Sequence, residues 1–179
     1  APIILILLEL LNLLRNIKLG VYLIGWDNLL PEFNLGLNWQ RSLFSLWQEY
    51  RGLGLLGGMA HSANLIHTLY ITLLSLIFPQ NLIRFIFIHG THVLGGIGLY
   101  YLLMYLTKNR KSSIFGAIFY MFNLGIIQMY FAPLEVFAVH FAALPWLTLT
   151  IYQACKNPTK KTLGLLFLTC LLTSPQGFV

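Results

Sequence analysis

From Leu82 to Leu106 the chain runs 25 residues with one formal charge, Arg84. At 1.5 Å per residue a helix of that length reaches about 37 Å, enough to cross a ~30 Å hydrocarbon layer. A water-soluble fold would have to shield such a helix on every side. The rest of the chain has little to shield it with: 58% of the residues are hydrophobic, 9% are charged, and the mean hydropathy is +0.75. Soluble domains carry about 25% charged residues. The composition therefore predicts an all-α, polytopic transmembrane helical bundle, a multi-pass protein of the cell membrane whose first partner is membrane lipid.

Other apolar runs supply the remaining segments. Residues 112–131 and 136–154 read as two further spans. Pro2 to Leu14 is too short to cross, so residues 1–19 read as a partial first span whose basic residues, Arg15 and Lys18, snorkel at its end. Residues 65–78 form 14 residues of apolar helix ended by Pro79-Gln80-Asn81, a length that suits a re-entrant or interfacial helix. Residues 162–179 open another span, interrupted at Pro175-Gln176-Gly177. The whole, 1–179, reads as one transmembrane domain, the N-terminal part of a larger protein. The two cysteines, Cys155 and Cys170, lie apart with no metal-ligand spacing.

The net charge of +6 does not point to nucleic acid, because the basic residues fall in short clusters between apolar runs. Lys108, Arg110 and Lys111 follow one span; Lys156, Lys160 and Lys161 follow another. Two spans separate the clusters, so both fall on one side, the cytoplasm. Residues 20–64 then form an extracytoplasmic loop, and Asp27, Glu32, Glu49 and Glu135 share the outer face. Glu9 stands apart from them. Within the loop, Trp39, Leu43, Leu46, Trp47 and Tyr50 recur at helical spacing opposite Arg41, Ser45, Gln48 and Glu49. That pattern predicts an amphipathic helix lying at the interface.

The order of these features resembles the multi-span glycosyltransferases of the GT-C superfamily. Gly25-Trp26-Asp27-Asn28, Phe44-Ser45-Leu46-Trp47, Leu134-Glu135 and Ala143-Leu144-Pro145-Trp146 carry the likeness. It is nearest to the arabinofuranosyltransferases of actinobacterial cell walls and to YfhO-like bacterial membrane proteins. The resemblance implies transfer of a sugar from a polyprenyl-phosphate donor to a cell-envelope glycan acceptor on the outer face. It implies that Asp27 is the catalytic base, with Glu32 as second choice. Asn28 stands where many of these enzymes carry a second acidic residue.

Each candidate has a chemical reason. A carboxylate in a partly dry cleft can deprotonate an acceptor hydroxyl, because desolvation lifts its pKa toward working pH. Asp27, flanked by Trp26, suits that role; equally it suits the cap of a helix starting at Asn28. Arg51 and Arg84 are outer arginines able to grip a phosphate bidentately. With Trp26, Glu135 and His61 they complete the expected substrate-binding set. His89 and His92, three apart on one helical face, have a spacing that suits a metal but more readily that of buried, hydrogen-bonded histidines. With His61, His67 and His140 they are placed to line an outer cavity. No cofactor is specified; a divalent cation is the one left open. Thr91, Gly95 and Gly98 make a small-residue face for close helix packing. A transporter or lipid flippase is the alternative, suggested by the proline-broken helices.

Overall fold

The computed structural model describes residues 2–23, 34–44, 47–48, 54–56, 65–131 and 135–173. The described fold is all-helical, with α1 (Pro2–Asn16), α2 (Leu35–Phe44), α3 (Leu65–Ser75), α4 (Gln80–Thr107), α5 (Arg110–Phe122), α6 (Leu124–Phe131), α7 (Glu135–Lys156) and α8 (Lys160–Leu172). A two-residue antiparallel pairing of β1 (Trp47–Gln48) with β2 (Leu55–Leu56) interrupts the series.

The helix α4 is the axis. It packs on α1, α3, α5 and α7, and its glycines allow this. A Cβ on Gly98 would sit 2.7 Å from the indole nitrogen of Trp146, and one on Gly95 would overlap the ring of Phe141. The expected small-residue face is therefore where α7 lies. The contacts fix direction. Arg84 meets Glu135 near the start of both helices, and Tyr105 meets Tyr152 near their ends. So α4 and α7 run parallel, and α5, whose Met121 lies against His92, runs back along α4. Lys108 and Lys156 consequently share one end of the bundle, and Arg84 and Glu135 the other.

Local sequence sets the ends. Pro79 precedes α4, and Lys108 closes it in a left-handed conformation. The Asn109 side chain accepts from the backbone of Lys111 and Ser112 to start α5. Thr159 and Thr162 form a reciprocal cap on α8. Pro145 lies inside α7 and has no N–H to give the Phe141 carbonyl. The Tyr120 hydroxyl donates to that carbonyl instead, at 2.8 Å, so a neighbouring helix repairs the break.

Three expectations need correction. The span predicted at 112–131 is two helices bent by 48°. Asn123 makes the break: its amide donates to the carbonyls of Phe119 and Tyr120, and its oxygen accepts from the Ile126 backbone. The local bonds of its side chain thus replace the helical ladder. Of the three predicted spans, only 82–106, within α4, is a single helix long and apolar enough to cross a membrane among the described residues. The stretch 136–154 forms one helix, within α7. Third, the amphipathic helix predicted from Trp39 to Tyr50 is shifted. It is α2, opened by Asn34, whose side chain accepts from the Leu37 backbone. Its polar side faces inward: Trp39 Nε1 donates to Thr72 Oγ1 at 2.9 Å, and Ser42 and Thr68 share a hydrogen bond of 3.1 Å. Leu43 and Phe44 are exposed. The helix packs this polar side on α3 and leaves Leu43 and Phe44 outward.

The outer surface is strongly apolar. Phe115 and Phe119 are 73% and 74% exposed, and Ile3, Leu7, Leu11 and Leu14 are exposed along α1.

Candidate functional site

Two buried ionic clusters sit along α4, about a turn apart. The first lies at the end that holds Glu135. Arg84, in the second turn of α4, directs Nε to Glu135 Oε1 at 2.8 Å and Nη1 to the Leu23 carbonyl at 2.6 Å. Glu135 opens α7, where a negative charge complements the helix dipole. His67 of α3 brings Nε2 to 3.0 Å of Glu135 Oε2, off the axis of a good hydrogen bond. Its ring stands edge-on to Phe87 at 4.9 Å. Arg84, Glu135 and His67 are all buried. Glu135 lies ahead of the apolar stretch of α7. Burial pushes its carboxyl up, but the His67 imidazole and the Arg84 guanidinium outweigh burial and hold it below the ordinary value.

These two residues were expected separately, Arg84 at the membrane interface and Glu135 in a short outer loop. The structure corrects the loop placement of Glu135 and pairs it with Arg84. Glu135 belongs to a helix and is buried, and Arg84 turns its donors into the protein. A guanidinium placed amid packed helices pairs with a carboxylate because an unpaired charge there is costly. The other expected site residues, Trp26, Asp27, Glu32, Arg51 and His61, lie outside the described residues.

The second cluster was not expected. Glu9 of α1 meets both histidines on α4: Oε1 contacts His89 Nδ1, and Oε2 lies 2.7 Å from His92 Nδ1. Asn12 Nδ2 donates to Oε1 at 3.2 Å, and His92 Nε2 lies 2.8 Å from the Met121 carbonyl. The rings of Tyr130, Phe141 and Phe122 surround His92 at 4.3, 5.4 and 5.6 Å. The sequence sets Glu9 apart from the acidic residues of the outer face and reads His89 and His92 as buried, hydrogen-bonded histidines; Glu9 is their partner. The missed signal was shared depth: three ionisable side chains in apolar helices need one another. The imidazole nitrogens touch the carboxylate oxygens directly, and no group of three such residues is spaced to hold a metal ion among the described residues.

Between α3, α4, α7 and α8 lies a cavity of about 610 Å³. Tyr70, Phe87, Leu94, Val139, Trp146 and Leu168 line it. No histidine lines it among the described residues, and His140 is exposed. His67, His89 and His92 are held by carboxylates instead of facing this cavity. Its chemistry is that of a site for hydrocarbon, which carries no polar groups to satisfy. No protein family, no curated protein and no solved structure matches the chain.

Proposed function

We propose that this chain is a membrane glycosyltransferase that takes its sugar from a polyprenyl-phosphate donor, and that the apolar cavity beside α4 receives the prenyl chain. The cavity is the observation that carries this reading. It is lined by four helices and is apolar along its length, and it opens beside helices whose outer surfaces are themselves apolar. The proposal includes a multi-pass arrangement in which α4, the bent α5–α6 pair and α7 cross the bilayer. Three things support it: the alternating direction of these helices, the basic residues gathered at one end, and the exposed phenylalanines of α5. A glycan acceptor would approach from the end that holds Arg84 and Glu135. The base remains Asp27, with Glu32 as alternative.

Two measurements test this in the protein in membranes. A photoreactive polyprenyl phosphate should crosslink to Leu94 or Leu168, and Leu94→Trp, which fills the cavity, should abolish that labelling. Asp27→Asn should abolish glycan product. Labelling indifferent to Leu94→Trp would remove the cavity from the mechanism, and unchanged product from Asp27→Asn would remove the base.

A second reading, a transporter or flippase, is favoured by the Glu9–His89–His92 cluster. Ionisable groups at that depth commonly mark ion or substrate pathways. Substrate flux that depends on Glu9, with sugar transfer absent in the unaltered protein, would select it.

A further inference from the structure

His92 has an acceptor at each ring nitrogen. The Met121 carbonyl, 2.8 Å from Nε2, can only accept, so Nε2 carries a hydrogen. Nδ1 faces Glu9 Oε2 at 2.7 Å. Were Nδ1 bare and Glu9 ionised, two lone pairs would face each other inside a dry bundle. One proton must therefore lie between them, on the imidazole or on the carboxyl. The other carboxyl oxygen is also engaged, by Asn12 Nδ2 and His89 Nδ1.

We propose that Glu9, His89 and His92 form a buried proton-binding site at the seam between α1 and α4, its ligand being one proton beyond those of two neutral imidazoles and an ionised carboxylate. The enclosure suits this. The side chains of Glu9 and His92 are 2% and 3% exposed, while His89, at 12%, is the most open member. The groups that face the cluster, from its own helices and from those packed on it, carry no charge at ordinary pH. They are Asn12 on α1, Thr91 on α4, Phe122 on α5, the Tyr130 phenol on α6 and Phe141 on α7, with the Tyr120 phenol stacked behind Phe141. Thr91 spends its hydroxyl on the Ile88 carbonyl. No lysine, arginine or further carboxylate among these contacts competes for the proton. Leu5 and Glu9 are the buried residues of α1, so the proton lies where that helix is seated.

The test uses the full chain, with its histidines labelled with nitrogen-15, in phosphatidylcholine nanodiscs at pH 7.5. Solid-state NMR reads the protonation of each ring nitrogen, and infrared difference spectra read the carboxyl. The expected result is either His92 protonated at both nitrogens, or His92 protonated at Nε2 alone together with a protonated-carboxyl band. His89→Gln identifies the His92 resonance by leaving it in place. Glu9→Gln should remove the carboxyl band or return His92 to a single protonated nitrogen. An unaltered protein with His92 neutral and Glu9 ionised would overturn the proposal, and that measurement stands even if Glu9→Gln does not fold.

Discussion

Arg84–Glu135–His67 and Glu9–His89–His92 are built from the same parts, a buried carboxylate with basic partners, all on α4 except His67 of α3. They differ in one partner. Arginine keeps its charge at any pH a protein meets, whereas histidine can shed its proton. The first cluster therefore always contains a cation. It ties the start of α7 to the start of α4, and through Leu23 it also holds the chain leaving α1. The second can lower its charge by moving or losing a proton. The same fold thus contains a fixed staple and an adjustable one on neighbouring turns. What tells them apart is the price of losing the carboxylate.

The largest effect is expected from Glu135→Ala. It strands a guanidinium inside the bundle, and removing one member of a buried pair costs about 3–5 kcal/mol. Unfolding in detergent should show that loss. Replacing both members with apolar residues, Arg84→Met with Glu135→Leu, should recover most of it, since no charge is then left unpaired. The unaltered protein should approach the same weakness in acid. A carboxylate with a lowered value in the folded state contributes fully above its unfolded value and loses that contribution as pH falls through the folded one. Stability from this pair is therefore present above the ordinary Glu value of 4.5 and disappears below it. If the double variant were as unstable as Glu135→Ala, the loss would come from packing and the comparison would fail.

Glu9→Ala comes next and should cost less, about 1–3 kcal/mol, the penalty of unsatisfied buried polar groups rather than of a stranded charge. With the carboxylate gone His92 can become neutral and keep its bond to Met121, an escape Arg84 does not have. Equal losses for Glu9→Ala and Glu135→Ala, compared by the same unfolding measurement, would mean that the histidines behave as fixed charges.

The two clusters also differ in how far they could be read from sequence. The apolar runs, the stop at Pro79 and the basic clusters that begin at Lys108 and Lys156 located most helices, because composition acts locally. The side of the bundle that Arg84 and Glu135 share was readable from the spacing of the basic clusters. Their contact was not, since it depends on which faces of α4 and α7 meet. Glu9 and His89 are 80 residues apart, and no local pattern joins them; only their common depth in apolar helices hinted at a partner. The break at Asn123 was hidden because one asparagine in an apolar run does not compel a bend. Its amide must find the carbonyls of Phe119 and Tyr120 to do so. In α2 the expected apolar side is split, because Thr68 and Thr72 on α3 offer hydrogen bonds to Ser42 and Trp39 while Leu43 stays exposed.

The smallest effect should come from His67→Leu, and it sharpens the contrast most. His67 touches Glu135 at 3.0 Å but off axis, and its Nδ1 has no hydrogen-bond partner among the described residues. Its contribution is set against the cost of burying that unsatisfied nitrogen, and the two are of similar size. Leucine keeps the apolar contact with Phe87 and removes the buried nitrogen, so stability at neutral pH should change by less than about 1 kcal/mol. Arg84 would then be the partner that holds Glu135. A loss as large as that of Glu135→Ala would make His67 an equal member of the pair. The first cluster would then depend on a histidine's proton as the second does, and the distinction between a fixed and an adjustable staple would be gone.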